Sequence, residues 1–514
     1  MELMYISPVL IAVLCSLYYY FTRTFNYWKD RGIVGPQPIP LFGNVIKAAL
    51  RYETHGEPIA NLYHQYPNEK VVGMFRMTEP YLLIKDLDII KQILIKDFDK
   101  FSDRGVELSE EGLGTNLFHA DTETWSVLRS RFTPLFTSGK LKNMIHLMTE
   151  RGDKFIKYVE SITENQAEHQ IHSLVQKYTI STIAACAFGM DIDDISDNNP
   201  MIKILNRIDR EVFSINFAFE IILMYPRLLK KLNLSVFPKY VTNFFYKLTN
   251  SIISERKGKP TERRDFMDLI LELKEQKEIQ STKKFENDIQ MHLEISESII
   301  AAQSFAFYAG GYETSATTMT FLLYLLAMNP HVQEKLHQEI DKTYEIHNGE
   351  LSYEIIKSMT YLHQVFDETL RLFPIVEPLQ RRAKNDYKIP GTDIVIEKDK
   401  IVLISLRGIH HDPKYYPNPE VFDPERFNAK NSAARHPCAY MPFGVGPRNC
   451  IGLRFAKLQS SICIIKFLSK FRVEPSENTL KEMKFDPKRV VMSPSDGILI
   501  NILPRKYICN NYWF

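Results

Sequence analysis

A cysteine stands among glycines and an arginine in one short segment near the carboxyl end of the chain. The segment reads Phe443-Gly-Val-Gly-Pro-Arg448-Asn-Cys450-Ile-Gly. Its glycines and proline predict a sharply turned loop, and apolar residues at helical spacing from Phe455 to Leu468 predict a helix directly after it. Backbone amides and the positive end of a helix dipole stabilise a thiolate, the form of cysteine that binds metal ions. This setting marks Cys450 as a candidate metal ligand.

Three other cysteines lack that setting. A lone cysteine is more often a small buried hydrophobic residue than a ligand, and we interpret Cys186 and Cys463 in this way. Cys438 lies before the glycine turn, so it has neither the loop nor the helix end. We expect a structural or free thiol at Cys438.

An acid and an alcohol are adjacent in a second segment, Gly310-Gly-Tyr-Glu313-Thr314-Ser. The surrounding pattern, from about Ile295 to Met328, predicts a long helix. Two adjacent glycines inside a helix cost roughly 1 kcal/mol each relative to alanine, and either close helix packing or a local widening of the helix would explain them. The Thr314 hydroxyl can bond to the carbonyl four residues earlier or turn towards a ligand. An acid beside an alcohol can also relay protons.

Two further pairs have spacings that bring their side chains together on a helix. Glu368 and Arg371 are spaced i and i+3, and periodicity alone predicts an exposed ion pair worth less than about 1 kcal/mol. Trp125 and Arg129 are spaced i and i+4, which is equally typical of an arginine stacked on an indole at the surface. Spacing alone therefore assigns no function to either pair.

The cysteine segment resembles the haem-binding loop of the cytochrome P450 superfamily, the haem-thiolate monooxygenases, whose pattern is Phe-x-x-Gly-x-Arg-x-Cys-x-Gly. The resemblance implies haem b (iron protoporphyrin IX) as the cofactor, with Cys450 as the axial ligand of the iron. It also implies that Phe443 covers the proximal side of the haem and that Arg448 reaches a propionate. A thiolate ligand donates electron density to the iron and favours cleavage of the O–O bond.

The same resemblance assigns roles to two of the pairs. Glu313 and Thr314 match the acid and the alcohol of the family's oxygen-side motif, with Gly310 where relatives usually have alanine. We therefore expect Glu313 and Thr314 to act as the proton relay of catalysis. Trp125 and Arg129 are expected to hold a haem propionate, since relatives carry a tryptophan and an arginine at this spacing.

The resemblance also assigns roles to further charged residues. Arg381 matches another propionate-binding position, and Arg104 is a candidate of the same kind. Glu368-Thr-Leu-Arg371 matches the family signature Glu-x-x-Arg, which pairs with a downstream arginine, here Arg426. The implied role of this trio is folding and haem retention, which replaces the exposed ion pair that periodicity alone predicts.

An apolar run from Met4 to Phe21 precedes all of these motifs. At about 1.5 Å per residue it covers roughly 27 Å, enough to cross a bilayer with little tilt. A cleaved signal peptide is the alternative, but no basic residue precedes the run and no Ala-x-Ala site follows it. Arg23, Lys29 and Arg31 follow the run, which predicts that the rest of the chain faces the cytosol behind an uncleaved anchor.

The remainder is expected to fold as one domain. Of the 514 residues 45% are hydrophobic, which excludes a disordered protein, and six cysteines are too few for a disulfide scaffold. Apolar runs near residues 70–85, 387–406 and 497–503 predict strands, and the pattern between about 120 and 375 is mostly helical. We therefore predict an α+β, predominantly α-helical protein with the cytochrome P450 fold. It would comprise a transmembrane anchor (1–22), a basic and proline-rich neck (23–45) and a catalytic domain (46–514).

Together with the apolar run, the resemblance implies a monooxygenase anchored in the endoplasmic reticulum (microsomal) membrane, in contact with membrane lipid. It would insert one atom of O2 into a small apolar organic substrate. No dinucleotide-binding glycine fingerprint follows a predicted strand, so the electrons of NADPH must arrive through a partner, NADPH-cytochrome reductase. The net charge of +2 provides no field that would attract nucleic acid. Phrases such as Cys186-Ala-Phe-Gly189 resemble insect microsomal members that oxidise xenobiotics and endogenous lipids.

Several alternatives stay open. A haem-thiolate isomerase or dehydratase acting on a peroxide needs neither a reductase nor a proton relay, and a non-catalytic ligand-binding member of the fold is a third class. The stretch from Phe213 to Phe245 is either core or an apolar surface that contacts lipid or admits substrate. Glu377 faces either solvent or the substrate pocket. Val445 replaces a residue that is often charged in relatives, which could alter how the reductase docks.

Overall fold

Helices make up most of the regular structure. The computed structural model describes residues 2–106, 108, 112–215, 219, 228–263, 265–275, 278–280 and 292–505. In chain order the α-helices span Glu2–Thr22, Ile46–Ala49, Glu57–Gln65, Leu87–Lys91, Thr122–Phe132, Ser138–Lys142, Ile145–Thr163, Ile171–Ile183, Pro200–Val212, Leu228–Lys231, Lys239–Glu255, Phe266–Glu275, Glu297–Gly311, Glu313–Met328, Pro330–His347, Tyr353–Ser358, Thr360–Leu372, Leu406–His410, Ala429–Ala434 and Leu453–Lys470. Short 3-10 or π segments span Lys29–Arg31, Gln92–Lys96, Phe98–Lys100, Thr133–Phe136, Ala184–Phe188 and Pro424–Phe427.

The strands are short and form small sheets. They are β1 (Val71–Arg76), β2 (Glu79–Ile84), β3 (Glu168–Gln170), β4 (Glu278–Gln280), β5 (His292–Glu294), β6 (Leu379–Arg382), β7 (Tyr387–Lys388), β8 (Val395–Ile396), β9 (Ile401–Ile404), β10 (Phe471–Pro475) and β11 (Leu499–Pro504). The largest sheet has the order β1-β2-β9-β6, in which only the β2–β9 pair is parallel. A second sheet has the order β10-β11-β3, and two-stranded ribbons join β4 to β5 and β7 to β8. The predicted α+β, mostly helical class is confirmed.

Buried apolar side chains form two main clusters. The larger one lies among the helices, and the smaller one lies around β1, β2 and β9. The loop that carries Cys450 runs along the boundary between them, because Phe443 and Ile451 pack against the helical cluster while Val445 packs against the sheet cluster. Contacts with both of these densely packed clusters therefore fix the position of the loop.

The amino-terminal segment is helical, from Glu2 to Thr22. Along this helix the side chains of Val9, Leu10 and Leu14 are about half exposed or more. Within the described part of the chain, no helix has both the length and the apolar character needed to cross a membrane. The transmembrane anchor thus stays a prediction.

The stretch from Phe213 to Phe245 is described only in part. Residues 216–218 and 220–227 lie outside the described residues. At the far end of the stretch, the helix Lys239–Glu255 buries Val241 and Phe245 completely. This part of the stretch is core, as the first of the two interpretations predicts.

Candidate haem-binding and oxygen-side site

The cysteine loop is tightly constrained. The Cys450 amide donates to the Phe443 carbonyl at 2.8 Å, and the next helix begins at Leu453, as predicted. Gly446 has a φ of +75°, and a Cβ built on it would lie 2.0 Å from the Leu94 carbonyl oxygen. Only glycine can occupy that position, because any side chain would collide with backbone. The loop therefore holds Cys450 in one place.

Cys450 is an accessible residue although protein surrounds its thiol. The residue is exposed, yet burial raises the pKa of its thiol above the ordinary value. Both observations hold if the accessible face opens onto an enclosed space inside the protein. The Gly452 amide and the charges of Arg129 and Arg104 act to lower the pKa. The predicted stabilisation of the thiolate by the helix end is thus present, but burial outweighs it in the structure described.

Four arginines crowd the space beside the cysteine loop: Arg104, Arg129, Arg381 and Arg448. Burial, together with the charge of Arg381, lowers the pKa of Arg448 to about 9. Burial likewise lowers the pKa of Arg381 to about 10 and, with the charges of Arg448 and Arg381, lowers that of Arg104. The nearby Asp103 carboxylate is already paired with Arg382 at 2.6 Å.

In the described part of the chain this cluster has no ion-paired carboxylate, although Asp103 and Asp121 act on Arg448 at longer range. Among the described residues, no carboxylate forms an ion pair with any of the four arginines, and their hydrogen bonds go mainly to carbonyl oxygens. Arg448 Nη1 and Arg381 Nε are buried without any hydrogen-bond partner. Buried guanidinium groups without counter-charges are costly unless a ligand supplies them. The two propionate carboxylates of a haem would supply the missing negative charges. The Cys450 thiol, once deprotonated, would supply a ligand for the haem iron.

Two predicted haem contacts have other partners as well. Arg129 donates to the backbone carbonyl and to the side-chain oxygen of Asn449, each at 2.7 Å, so it braces the cysteine loop directly. The buried Trp125 ring lies 4.2 Å from the Arg448 guanidinium and forms a cation–π contact with it. Both residues lie in the helix Thr122–Phe132, whose amino end is capped by the Asp121 carboxylate.

Cys438 is a buried, unreactive thiol. It is fully buried within the sheet cluster, and burial raises its pKa to about 11. A thiol with so high a pKa carries almost no thiolate at neutral pH. This agrees with the sequence-based interpretation of Cys438 as a structural or free thiol.

The central helix breaks where its glycines occur. Instead of the single predicted helix, Glu297–Gly311 and Glu313–Met328 are separated at Tyr312. Thr314 Oγ1 donates to the Gly310 carbonyl at 2.9 Å, one of the two options that its position allowed. Between Ile299 and Ala327 the accessible positions form one stripe, which comprises Ala306, Phe307, Ala309, Gly310, Gly311 and Thr314. A Cβ built on Gly310 would meet no atom within 4 Å, so the helix borders open space there, whereas a Cβ on Gly311 would lie 2.5 Å from Ile183 Cδ1.

Glu313 faces the helix Ile171–Ile183 and does not face open space. Its side chain is fully buried and accepts hydrogen bonds from Arg489 at 2.7 Å and from Gln176 at 2.8 Å, while His172 Nε2 lies 3.3 Å from its Oε1. Burial acts to raise the pKa of the Glu313 carboxyl, but His172 and Arg489 outweigh burial and lower it. Glu313 and Thr314 are therefore adjacent in the chain but face different environments.

The predicted trio is a buried network. Arg371 donates to Glu368 through two hydrogen bonds of 2.7 and 2.8 Å, and both side chains are fully buried. Arg426 approaches the same carboxylate at 3.4 Å. Arg371 also donates to the carbonyls of His410 and Pro419. The prediction from periodicity alone, an exposed ion pair, is wrong because both side chains are buried. Through its bonds to the two carbonyls, Arg371 also connects its helix to the segments that lead to the cysteine loop.

Glu377 occupies neither of its expected settings. Its Oε2 accepts a hydrogen bond from the Arg407 amide at 2.9 Å, while Oε1 is buried without a partner beside Gly56. Burial raises the pKa of this carboxyl to about 7. The side chain is thus enclosed by protein, between the loop that carries it and the start of the Glu57–Gln65 helix.

His172, Gln176 and Arg489, which surround Glu313, were missed by the sequence analysis. They come from the helix Ile171–Ile183 and from the loop before β11, far apart in the chain. None belongs to a recognisable motif, and a single histidine or arginine carries no signal of its own. Only the folded arrangement shows that they share one carboxylate.

Comparison with known proteins agrees with this geometry. The family model described as Cytochrome P450 matches residues 34–501. Cytochrome P450 6B2 of Helicoverpa armigera is 55% identical, over 98% of this chain and 99% of that protein. Cytochrome P450 6B1 of Papilio polyxenes is 52% identical, over 98% and 100%, and cytochrome P450 6a2 of Drosophila melanogaster is 36% identical, over 96% and 98%. With a cysteine loop, an arginine cluster and a match over most of its length, this chain belongs to the cytochrome P450 family.

Proposed function

We propose that this protein is a haem-thiolate monooxygenase that inserts one atom of O2 into an apolar organic substrate. The observation that carries the proposal is the accessible residue Cys450, held by a constrained loop beside an arginine cluster that has no ion-paired carboxylate among the described residues. Cys450 would ligate the iron of haem b. Arg448, Arg381 and Arg104 would meet the propionates, since two of their nitrogen atoms are buried and unpaired.

When bound, the haem supplies dioxygen activation, and the chain's own residues control protons and access. The Thr314 hydroxyl lies on the accessible stripe of the central helix, where it can donate a hydrogen bond to a ligand instead of to Gly310. Glu313 holds a negative charge behind that stripe and can carry protons once its side chain turns. Trp125 and Arg129 keep the cysteine loop and the arginine cluster in register.

The proposed substrate is small and apolar, either a xenobiotic or an endogenous lipid-like or hormone-like molecule. The stripe beside Thr314 offers alanine, glycine and phenylalanine, which present no charge to a bound molecule. Apolar walls with a few polar groups are typical of sites for such ligands. Electrons would come from NADPH through a separate reductase, because no dinucleotide-binding fingerprint follows a predicted strand.

The proposed location is the endoplasmic reticulum membrane, with the catalytic domain (46–514) facing the cytosol behind the anchor (1–22) and the neck (23–45). The exposed apolar side chains along the amino-terminal helix support this arrangement, because such side chains are stable in contact with lipid. The basic residues that follow the helix support the orientation.

The test supplies membranes containing the full chain with a purified reductase, NADPH and a panel of alkoxycoumarins. We expect product that carries one atom from isotopically labelled dioxygen, and no product when the reductase or NADPH is left out. An isomerase or dehydratase would instead convert an organic peroxide with neither component. Rearrangement of the peroxide, with no reductase-dependent product that carries oxygen from labelled dioxygen, would therefore overturn the monooxygenase proposal.

A further inference from the structure

A polar cavity opens next to the buried Glu313 side chain. Its volume is about 230 Å³, and it is lined by residues that include His172, Gln176, Asp209, Asp486, Arg489 and Ser493. The His172 side chain is 17% exposed, while Glu313 is completely buried. His172, like Gln176 and Arg489, both lines the cavity and contacts the Glu313 carboxylate.

Four groups contact Glu313, and they differ in their ability to carry a proton. Gln176 is an amide, and Arg489 keeps its proton because the carboxylates of Glu313 and Asp209 hold it there, so neither can relay. Thr317 Oγ1 lies 3.4 Å from Glu313 Oε1 and 3.5 Å from His172 Nε2, at the inner end of the group. Histidine is the side chain whose ordinary titration falls near neutral pH.

Within the group formed by Glu313, Asp209 and Arg489, the charges balance when His172 carries a proton. Asp486 also lines the cavity, but its Oδ1 accepts a hydrogen bond from the Lys488 amide and it is counted outside this group. Glu313 and Asp209 supply two carboxylates, and Arg489 supplies one guanidinium that contacts both. The Asp209 carboxylate also accepts a hydrogen bond from the Tyr312 hydroxyl. A second cation is required for neutrality, and the Glu313 carboxylate provides the attraction that favours it at His172.

We propose that this cavity and His172 form the path by which protons from solvent reach Glu313. The protonated ring transfers a proton from Nε2 to Glu313 Oε1 and keeps its Nδ1 proton. The ring then turns towards the cavity, where water returns a proton to Nε2. This inference rests on the proposed role of Glu313 and Thr314 in catalysis. His172 acts through Glu313, so it is a positioning and relay residue and does not touch substrate.

The test compares His172→Gln with His169→Gln in the haem-loaded full chain, with reductase. His169 lies on β3 and contacts the Gln166 carbonyl, away from Glu313. We expect His172→Gln to lower kcat by about tenfold, to divert electrons to hydrogen peroxide and to raise the solvent isotope effect, with KM unchanged. His169→Gln should match the wild type. Equal kcat in both variants, while Glu313→Gln is impaired, would overturn the path through His172.

A second variant separates proton transfer from charge balance. His172→Lys keeps a positive charge beside Glu313, so it preserves a structural role of the cation and should fold. If the path is correct, its kcat stays low and its pH profile differs from that of the wild type. Full recovery of kcat in His172→Lys would show that only the charge matters, and would overturn the relay.

A measurement without turnover completes the test. Isotope-labelled histidine NMR of the substrate-free protein should show one resonance that is lost in His172→Gln and that titrates above the usual pH range. Glu313→Gln should lower its midpoint. A His172 that does not titrate would contradict the path. A wild type that lacks reductase-dependent turnover but shows this titration would overturn the proposed function, and with it the catalytic role of the path.

Discussion

At the scale of single residues, the thiols of Cys438 and Cys450 differ in their capacity to ligate a metal although they are close in the chain. Burial raises the pKa of both Cys438 and Cys450, but only Cys450 has an accessible face, an amide donor at a helix end and two arginines nearby. The environment of a thiol, more than its position in the chain, thus decides whether it can ligate a metal. The loop and the helix end were predictable from the sequence, because glycines and the following helix are local features. Burial and the contribution of the distant Arg104 and Arg129 were not predictable from local pattern.

Glu377 provides a pH-dependent prediction. In the unfolded chain this carboxyl ionises near its ordinary value, while in the folded protein burial raises its pKa to about 7. The folded state therefore binds the extra proton between these two values, and stability falls as the pH rises through that window. Glu377→Gln should raise the free energy of unfolding by about 1–3 kcal/mol at pH 8 and change it little near pH 4.5.

Thermal unfolding at both pH values checks this prediction, with Glu350→Gln on the surface as the control. We expect Glu377→Gln to raise Tm at pH 8 only, and the control to leave Tm unchanged. A fall in Tm at pH 8 would mean that the charged carboxylate stabilises the fold through Arg407.

At the scale of elements, two glycines with the same backbone conformation differ in whether the surrounding protein leaves room for a side chain. Gly446 and Gly391 both have a φ of +75°, but a Cβ on Gly446 would collide with the Leu94 carbonyl, whereas a Cβ on Gly391 would meet nothing. Gly391→Ala should cost about 1–2 kcal/mol for the backbone conformation alone. Gly446→Ala should displace the cysteine loop and abolish haem binding, as measured by haem content per chain. Equal haem content in the two variants would contradict the close contact.

The Glu368–Arg371 pair provides a second comparison between elements. Arg371→Ala should destabilise the protein by about 3–5 kcal/mol, because it leaves the Glu368 charge buried and unpaired. Lys335→Ala breaks an exposed pair with Glu425 and should cost less than about 1 kcal/mol. Denaturant unfolding of both variants measures the difference. A cost for Arg371→Ala as small as that of Lys335→Ala would show that the pair is solvated.

Sequence patterns predicted elements better than contacts between elements. The strands β1, β2 and β11 follow from short apolar runs, and the helix after Cys450 follows from helical spacing. The break at Tyr312 and the direction of Glu313 do not, because they depend on how the helix packs against Ile171–Ile183 and on distant partners such as Arg489. Periodicity likewise could not reveal that Arg371 is buried, since its partners are backbone carbonyls elsewhere in the chain.

At the scale of the whole molecule, the predicted division of the chain can be tested by truncation. Removal of residues 1–22 should release the protein from membranes at high salt, while the catalytic domain keeps its haem. Membrane fractionation measures the distribution, with the full chain as the control. A truncated protein that stays on membranes at high salt would show that other surfaces provide the attachment.

The central claim is that Cys450 ligates a haem iron as a thiolate. The most direct measurement is the carbon monoxide difference spectrum of the reduced protein in membranes, for the wild type, Cys450→Ser and Cys438→Ser. We predict a strongly red-shifted Soret band in the wild type and in Cys438→Ser, and its loss in Cys450→Ser. A red-shifted band that persists in Cys450→Ser, or a wild-type band at the position of imidazole-ligated haem, would contradict the assignment.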